Sequence, residues 1–314
     1  MILSAIAFCS CTREEKPFTL PPAGSTLSES LTLGENYDSV IYFRLSDAHI
    51  ETYALNTWDI AFENTVTGYG IYINGGNEIQ VGNSRQTSWE LPVDAGSIKW
   101  KWDNPNGDRD SSAFGKWQDS TEGIYIIDLG IKAAERYIKF RIITNTENSY
   151  TFMYAPISSG NPETVTINKS GNKGLLYYSF AKKSTVSCSP ERNGWDIILT
   201  RYRHIYYNLN PITPYYVVGG LSNRDQGISI AKISNKPFES ISKDDAFTAT
   251  YSSSANTIGF EWKYFNLTQS KYVINSNITY LIKDASGDIY KLHFTDFYNI
   301  KGVKGSPCFD YQKL

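Results

Sequence analysis

The chain has 314 residues, enough for one large domain or two of about 150, and either size buries a core without disulfides. The formal charge is −2, with 30 Lys and Arg against 32 Asp and Glu scattered along the sequence, which leaves no basic face for nucleic acid or for an anionic membrane surface. Aromatic residues (23 Tyr, 15 Phe and 7 Trp, against 2 Met) suit pleated, half-buried surfaces better than helices, so the expected class is all-β, built of antiparallel sheets.

Residues 2–8 form an apolar run too short to span a bilayer, followed by small residues and cysteine, as in the apolar segment of a secretory signal. The stretch Phe8-Cys9-Ser10-Cys11 resembles a bacterial lipobox. Its modified cysteine follows a small residue, so Cys11, after Ser10, is the expected lipidation site and residues 1–11 the leader. No Lys or Arg precedes the apolar run, and an ordinary cleaved signal is the alternative. Residues 12–30 begin Thr12-Arg13-Glu14-Glu15-Lys16 and continue with Pro17, Pro21, Pro22 and Gly24, a composition that reads as a flexible tether. Acidic residues close behind a lipidated cysteine resemble the surface-export signal of Bacteroidetes lipoproteins. The expected location is therefore the outer membrane, at the cell surface, with membrane contact through the lipid alone.

Beyond residue 35 the sequence is a succession of short apolar and aromatic segments, at 40–45, 71–73, 124–127, 137–143 and 150–154, separated by Gly, Asn, Asp and Pro. Each has strand length, and none sustains helical spacing. The texture resumes after Gly174 and is an echo. Val40-Ile41-Tyr42-Phe43, Trp58-Asp59-Ile60-Ala61-Phe62 and Tyr72-Ile73-Asn74-Gly75-Gly76 are answered by Leu175-Leu176-Tyr177-Tyr178, Trp195-Asp196-Ile197-Ile198-Leu199 and Tyr216-Val217-Val218-Gly219-Gly220. Residues 137–142 are answered in the same way by 289–294. Two tandem β repeats are expected, 31–165 and 166–314. In each Trp-Asp-Ile, alternation separates the aspartate from its apolar neighbours, and Asp59 and Asp196 read as acceptors for backbone N–H groups of the preceding turn rather than as catalytic carboxylates.

Few residues carry chemistry. Cys188 and Cys308 lack metal-ligand spacing and read as buried thiols, with a disulfide as the alternative. Three histidines, none near another, and the absence of nucleophile, zinc-protease, phosphate-loop or dinucleotide motifs leave no expected catalytic centre; only carboxylates that meet in space, as in a glycosidase, stay open. Asn104, Asn106, Asp108 and Asp110 fall at alternate positions and suit either a calcium loop or, the preferred reading, an Asn-Pro-Asn-Gly turn. Trp89, Trp100, Trp102 and Trp117 are either core or, if exposed, a surface for stacking sugars.

The second half resembles the HmuY-like lipoproteins of Bacteroidetes. The resemblance rests on Gly194-Trp195-Asp196-Ile197-Ile198-Leu199-Thr200-Arg201-Tyr202, Asp284-Ala285-Ser286-Gly287-Asp288, Tyr290-Lys291-Leu292-His293-Phe294-Thr295-Asp296-Phe297-Tyr298, Gly302-Val303-Lys304-Gly305 and Phe309-Asp310-Tyr311. It implies an all-β fold, outer-membrane attachment and capture of haem for an outer-membrane transporter. It also implies two axial histidines, but one of those positions falls on Asn266 and the other within 241–258, which holds no histidine. A methionine pair is ruled out, since Met153 is the sole methionine beyond the leader. The cofactor is therefore open. His293 should face solvent with Lys291, and His49 should sit in a hairpin loop. His204, in Arg201-Tyr202-Arg203-His204-Ile205-Tyr206-Tyr207, is the candidate iron ligand, with Tyr202 as a flanking ring and Arg203 for carboxylates. The expected function is ligand capture without catalysis: haem or porphyrin by resemblance, a glycan or protein partner as the alternative.

Overall fold

The computed structural model describes residues 24–119 and 123–314; the leader, Cys11 and residues 12–23 of the expected tether lie outside them. The chain begins with β1 (Leu27–Ser30) and two hairpins, β2–β3 (Ser39–Arg44, His49–Ala54) and β4–β5 (Ile60–Glu63, Ile71–Ile73). A meander of β6 to β9 follows (Gln80–Asn83, Tyr125–Asp128, Tyr137–Asn145, Ser149–Pro156). The next stretch runs through β10 (Glu163–Asn168) and the hairpins β11–β12 (Leu175–Ser179, Ser184–Val186) and β13–β14 (Ile197–Tyr206, Thr213–Ser222) to β15 (Ser229–Ser234). One short helix, α1 (Lys243–Thr248), and a small hairpin, β16–β17 (Lys263–Asn266, Lys271–Ile274), precede β18 to β20 (Ile278–Lys283, Ile289–Tyr298, Lys304–Lys313).

All strand pairs are antiparallel, in keeping with the composition. Two five-stranded sheets, β10-β9-β8-β7-β6 and β1-β20-β19-β18-β15, flank two four-stranded sheets, β12-β11-β4-β5 and β14-β13-β2-β3. The early hairpin β2–β3 thus joins the late hairpin β13–β14, and β11–β12 joins β4–β5. The cores follow this pairing, each drawing on residues from both sides of residue 165. One takes Leu31, Leu33, Ile41, Phe43 and Leu45 from the start of the chain together with Ile197, Leu199 and the β18–β20 residues. The other joins Ile60, Phe62 and the β7–β9 residues with Tyr178 and Phe180.

Two aspartates clamp the exchanged hairpins. Asp196 Oδ2 accepts the Leu45 N–H at 2.8 Å while its own N–H donates to Phe43 O; Asp59 Oδ2 accepts the Phe180 N–H at 2.7 Å while its own N–H donates to Tyr178 O. Both are strand-entrance acceptors, but the N–H groups they hold belong to the far end of the sequence, not to the preceding turn. Burial pushes both carboxyls above the ordinary aspartate range. The two central meander strands carry equivalent buried lysines. Lys139 Nζ donates to Trp89 O and Leu91 O, and Lys291 Nζ to Phe238 O and Ile241 O.

Part of the segment expected as a tether is strand. Residues 27–30 form β1, paired with Tyr311 through Cys308, and Gly24 N–H donates to Lys313 O. An edge strand needs backbone pairing rather than apolar side chains, so a polar sequence serves.

Candidate ligand sites

Strand β13 runs from the core to the molecular surface, and its alternation separates the three residues that the sequence groups together. Tyr202 and His204 lie on one face, Arg203 on the other. The Arg203 guanidinium is taken up structurally: it donates to Ile79 O at 2.6 Å, Asn77 O at 3.1 Å and Tyr216 Oη at 2.6 Å, tying β13 to the turn before β6. Arg201 likewise donates to Gly76 O and Asn36 O. Neither arginine meets a ligand beside His204.

His204 is half-buried, directly opposite Tyr215 across the β13–β14 ladder. Tyr206 and Phe260 meet its ring edge-on at 4.7 and 5.0 Å between centroids. Phe260 reaches it because glycines let the 257–260 segment close on β14. A Cβ on Gly219 would lie 2.2 Å from Gly259 O, and Gly220 and Gly259 exchange backbone hydrogen bonds at 2.9 and 3.1 Å. The imidazole has no hydrogen-bond partner among the described residues, and burial lowers its pKa, which favours the neutral ring with one nitrogen lone pair free. Around it lies an apolar end face. Tyr207, Leu209, Ile212 and Tyr215 come from the β13–β14 tip, and Tyr264, Phe265 and Leu267 from β16–β17; Tyr215 is 60% and Leu267 85% exposed.

The other candidate ligands are occupied. His49 starts β3 rather than lying in a loop, and its Nε2 is 3.3 Å from Glu51 Oε1. His293 does not face solvent: it stacks on Phe238 at 4.1 Å and approaches Asp310 at 3.4 Å, because the segment at 238–241 covers the strand face that it shares with Lys291. Cys188 and Cys308 are free thiols, Cys188 being buried and pushed up to about 12. Asn266 ends β16, where its side chain accepts the Gln269 N–H and closes the hairpin turn. No group of three His, Cys, Asp or Glu side chains among the described residues is placed to hold a metal ion.

A second site lies between the four-stranded sheets, a cavity of about 270 Å³. Its walls include two edge-to-face pairs, Tyr42–Trp195 at 5.2 Å and Trp58–Tyr177 at 4.9 Å. Trp102, Arg192 and the buried Tyr202 also line it. Sequence reasoning took Tyr202 for a partner of His204 and passed over Tyr42, Trp58, Tyr177 and Trp195 as sites. The echo that places the two Trp-Asp pairs was their signal. The tryptophans suspected of stacking sugars are not an outer platform: Trp89 is buried, Trp100 stacks on Tyr137, and Trp117 Nε1 donates to Tyr69 O. In the suspected calcium loop, Asn104, Asn106 and Asp108 each accept the backbone N–H two residues on, as turn residues do.

These features define an all-β protein of packed antiparallel sheets with one aromatic cavity and one exposed apolar face. Residues 171–311 match the HmuY protein family. Among curated proteins, none matches the chain. Similar solved structures are apo PinO of Porphyromonas gingivitis (11% identity, 92% of this chain and 97% of that one, TM-score 0.30) and the apo HmuY analog of Tannerella forsythia (14%, 93% and 98%, TM-score 0.26). A HmuY-like protein of Bacteroides vulgatus, named for haem binding, is a third (11%, 91% and 90%, TM-score 0.24).

Proposed function

We propose that this protein is a cell-surface ligand-capture protein of the haem-binding type. The porphyrin lies against the apolar end face of β13–β14 and β16–β17, and His204 ligates its iron. The observation that carries this reading is His204 itself: a partnerless imidazole, its pKa lowered by burial, set among aromatic rings beside exposed apolar side chains, in a segment that matches the HmuY family. Haem needs an axial nitrogen, sulfur or phenolate and an apolar bed, and Tyr206 and Tyr215 stand close enough to the imidazole to flank the ring plane. The test is a haemin titration of the soluble chain from Gly24 onward. A saturable Soret shift that His204→Ala abolishes is the expected result; an unchanged Soret band in the variant overturns the assignment. If haemin produces no shift and the same face retains a glycan array ligand, the exposed aromatic face serves a glycan instead.

The anchor belongs to the same proposal. Cys11 carries the lipid that holds the protein at the outer membrane, from which a transporter receives the ligand; labelling with a radioactive fatty acid, lost in Cys11→Ser, is the observable. We also propose that the chain consists of two copies of one β-unit that have exchanged hairpins. The supports are the matching strand succession, the paired clamps of Asp59 and Asp196, and the paired lysines 139 and 291.

A further inference from the structure

The central cavity is not needed for the His204 site, and its chemistry differs. Trp58, Trp102 and Trp195 line it yet are only partly buried, so indole surface at the middle of the molecule is left without a packing partner. The walls are held in place from behind. Asn74 Nδ2 donates to Leu55 O and Trp58 O, and Asn223 Nδ2 to Arg192 O and Trp195 O, so both Trp-bearing turns are pinned by a buried amide. Preformed aromatic walls of this kind characterise small-molecule sites, typically about 300–1,000 Å³ in size, and about 270 Å³ falls just below that range, which suits a small ligand.

The polar element is Arg192. Arg201 and Arg203 satisfy their guanidinium groups with carbonyls, whereas Arg192 Nε is buried with no hydrogen-bond partner among the described residues. Among the described residues no carboxylate lies within ion-pair distance of it, Asp225 acting on it only from further off. An unpaired buried N–H is costly, and a planar guanidinium fork best matches a carboxylate. Two acids also line the cavity: Asp103 is already capped by the N–H groups of Ile73 and Ala113, and burial holds Asp225 above the ordinary aspartate range.

We propose that this cavity binds a planar aromatic carboxylate of one or two rings, the ring between Trp58, Trp102 and Trp195 and the carboxylate on Arg192. The site is separate from that of His204 and stands whether or not the protein takes haem. The experiment is isothermal titration of the full chain with 2-naphthoate and with the neutral 2-naphthalenemethanol. Saturable one-to-one binding of 2-naphthoate is expected. Arg192→Gln should weaken it by about tenfold or more, the worth of a charge-assisted hydrogen bond, while leaving 2-naphthalenemethanol unchanged; His204→Ala should bind 2-naphthoate as the wild type does. Absence of saturation by about 1 mM, equal affinity in Arg192→Gln, or loss of binding in His204→Ala overturns the proposal.

Discussion

Replacing Asp196 with alanine removes the side-chain acceptor of the buried Leu45 N–H, 2.8 Å away, at the corner where β2 turns toward β3. Leu45 is 2% exposed, so water does not reach the orphaned donor, and the expected cost is about 1–3 kcal/mol. Part of this is offset, because the variant no longer buries a carboxyl whose pKa desolvation has raised. At about 2–4 °C per kcal/mol for a large domain, the Tm should fall by about 2–8 °C. Asp196→Asn separates the two contributions: its amide oxygen still accepts from Leu45 and it carries no charge, so it should lie within about 0.5 kcal/mol of wild type. Asp59→Ala, which orphans the Phe180 N–H, should cost a similar amount, and the two losses should add because they affect different cores. Scanning calorimetry of the three variants and the double variant is the assay. A Tm for Asp196→Ala within about 1 °C of wild type would refute the idea that this clamp holds the exchanged hairpin.

Two further outcomes are expected. Lys263 is 7% exposed, donates to Val218 O, and is lowered to about 7 by desolvation. The unfolded lysine keeps its proton up to about pH 10.4, so the folded state binds fewer protons between pH 7 and 10. Stability relative to Lys263→Met should therefore rise with pH across that window, by up to about 1.4 kcal/mol per pH unit, and be flat below it; urea denaturation at pH 6.5, 8 and 9.5 measures this, and a falling difference contradicts the assignment. If the halves exchange hairpins, residues 24–165 and 166–314 expressed apart should each fail to fold and should assemble on co-expression; a cooperatively folded 166–314 fragment would rule out the exchange as a requirement.

How much of this was legible in the sequence follows from the range of each interaction. Alternation and aromatic content act locally, so the strands around Val40, Trp58, Tyr137 and Trp195 and the all-β class could be read directly. So could the aspartates' structural role, because an aspartate at a strand entrance seeks nearby N–H donors. What the donors are could not be read: Leu45 and Phe180 lie 151 and 121 residues away, and only the exchange of hairpins brings them there. β1 was hidden for a related reason. Pairing with the β20 edge is a backbone matter, and a polar segment gives no sign of it. His293 and Lys291 looked solvent-facing because alternation assigns a face without saying whether another segment covers it, as 238–241 does.

The sequence by itself determined the class, the strand positions, the family resemblance of the second half and His204 as the histidine worth testing, since all of these rest on local pattern or on residue supply. Tertiary structure alone decided which of the neighbouring side chains are free. Tyr202 and His204 part from Arg203 through the pleat of β13, and Arg203 is consumed by carbonyls of the turn before β6. The aromatic walls of the central cavity come together only because hydrogen bonding between strands ignores chain order, placing Tyr42 against Trp195 and Trp58 against Tyr177 across more than 100 residues of intervening chain.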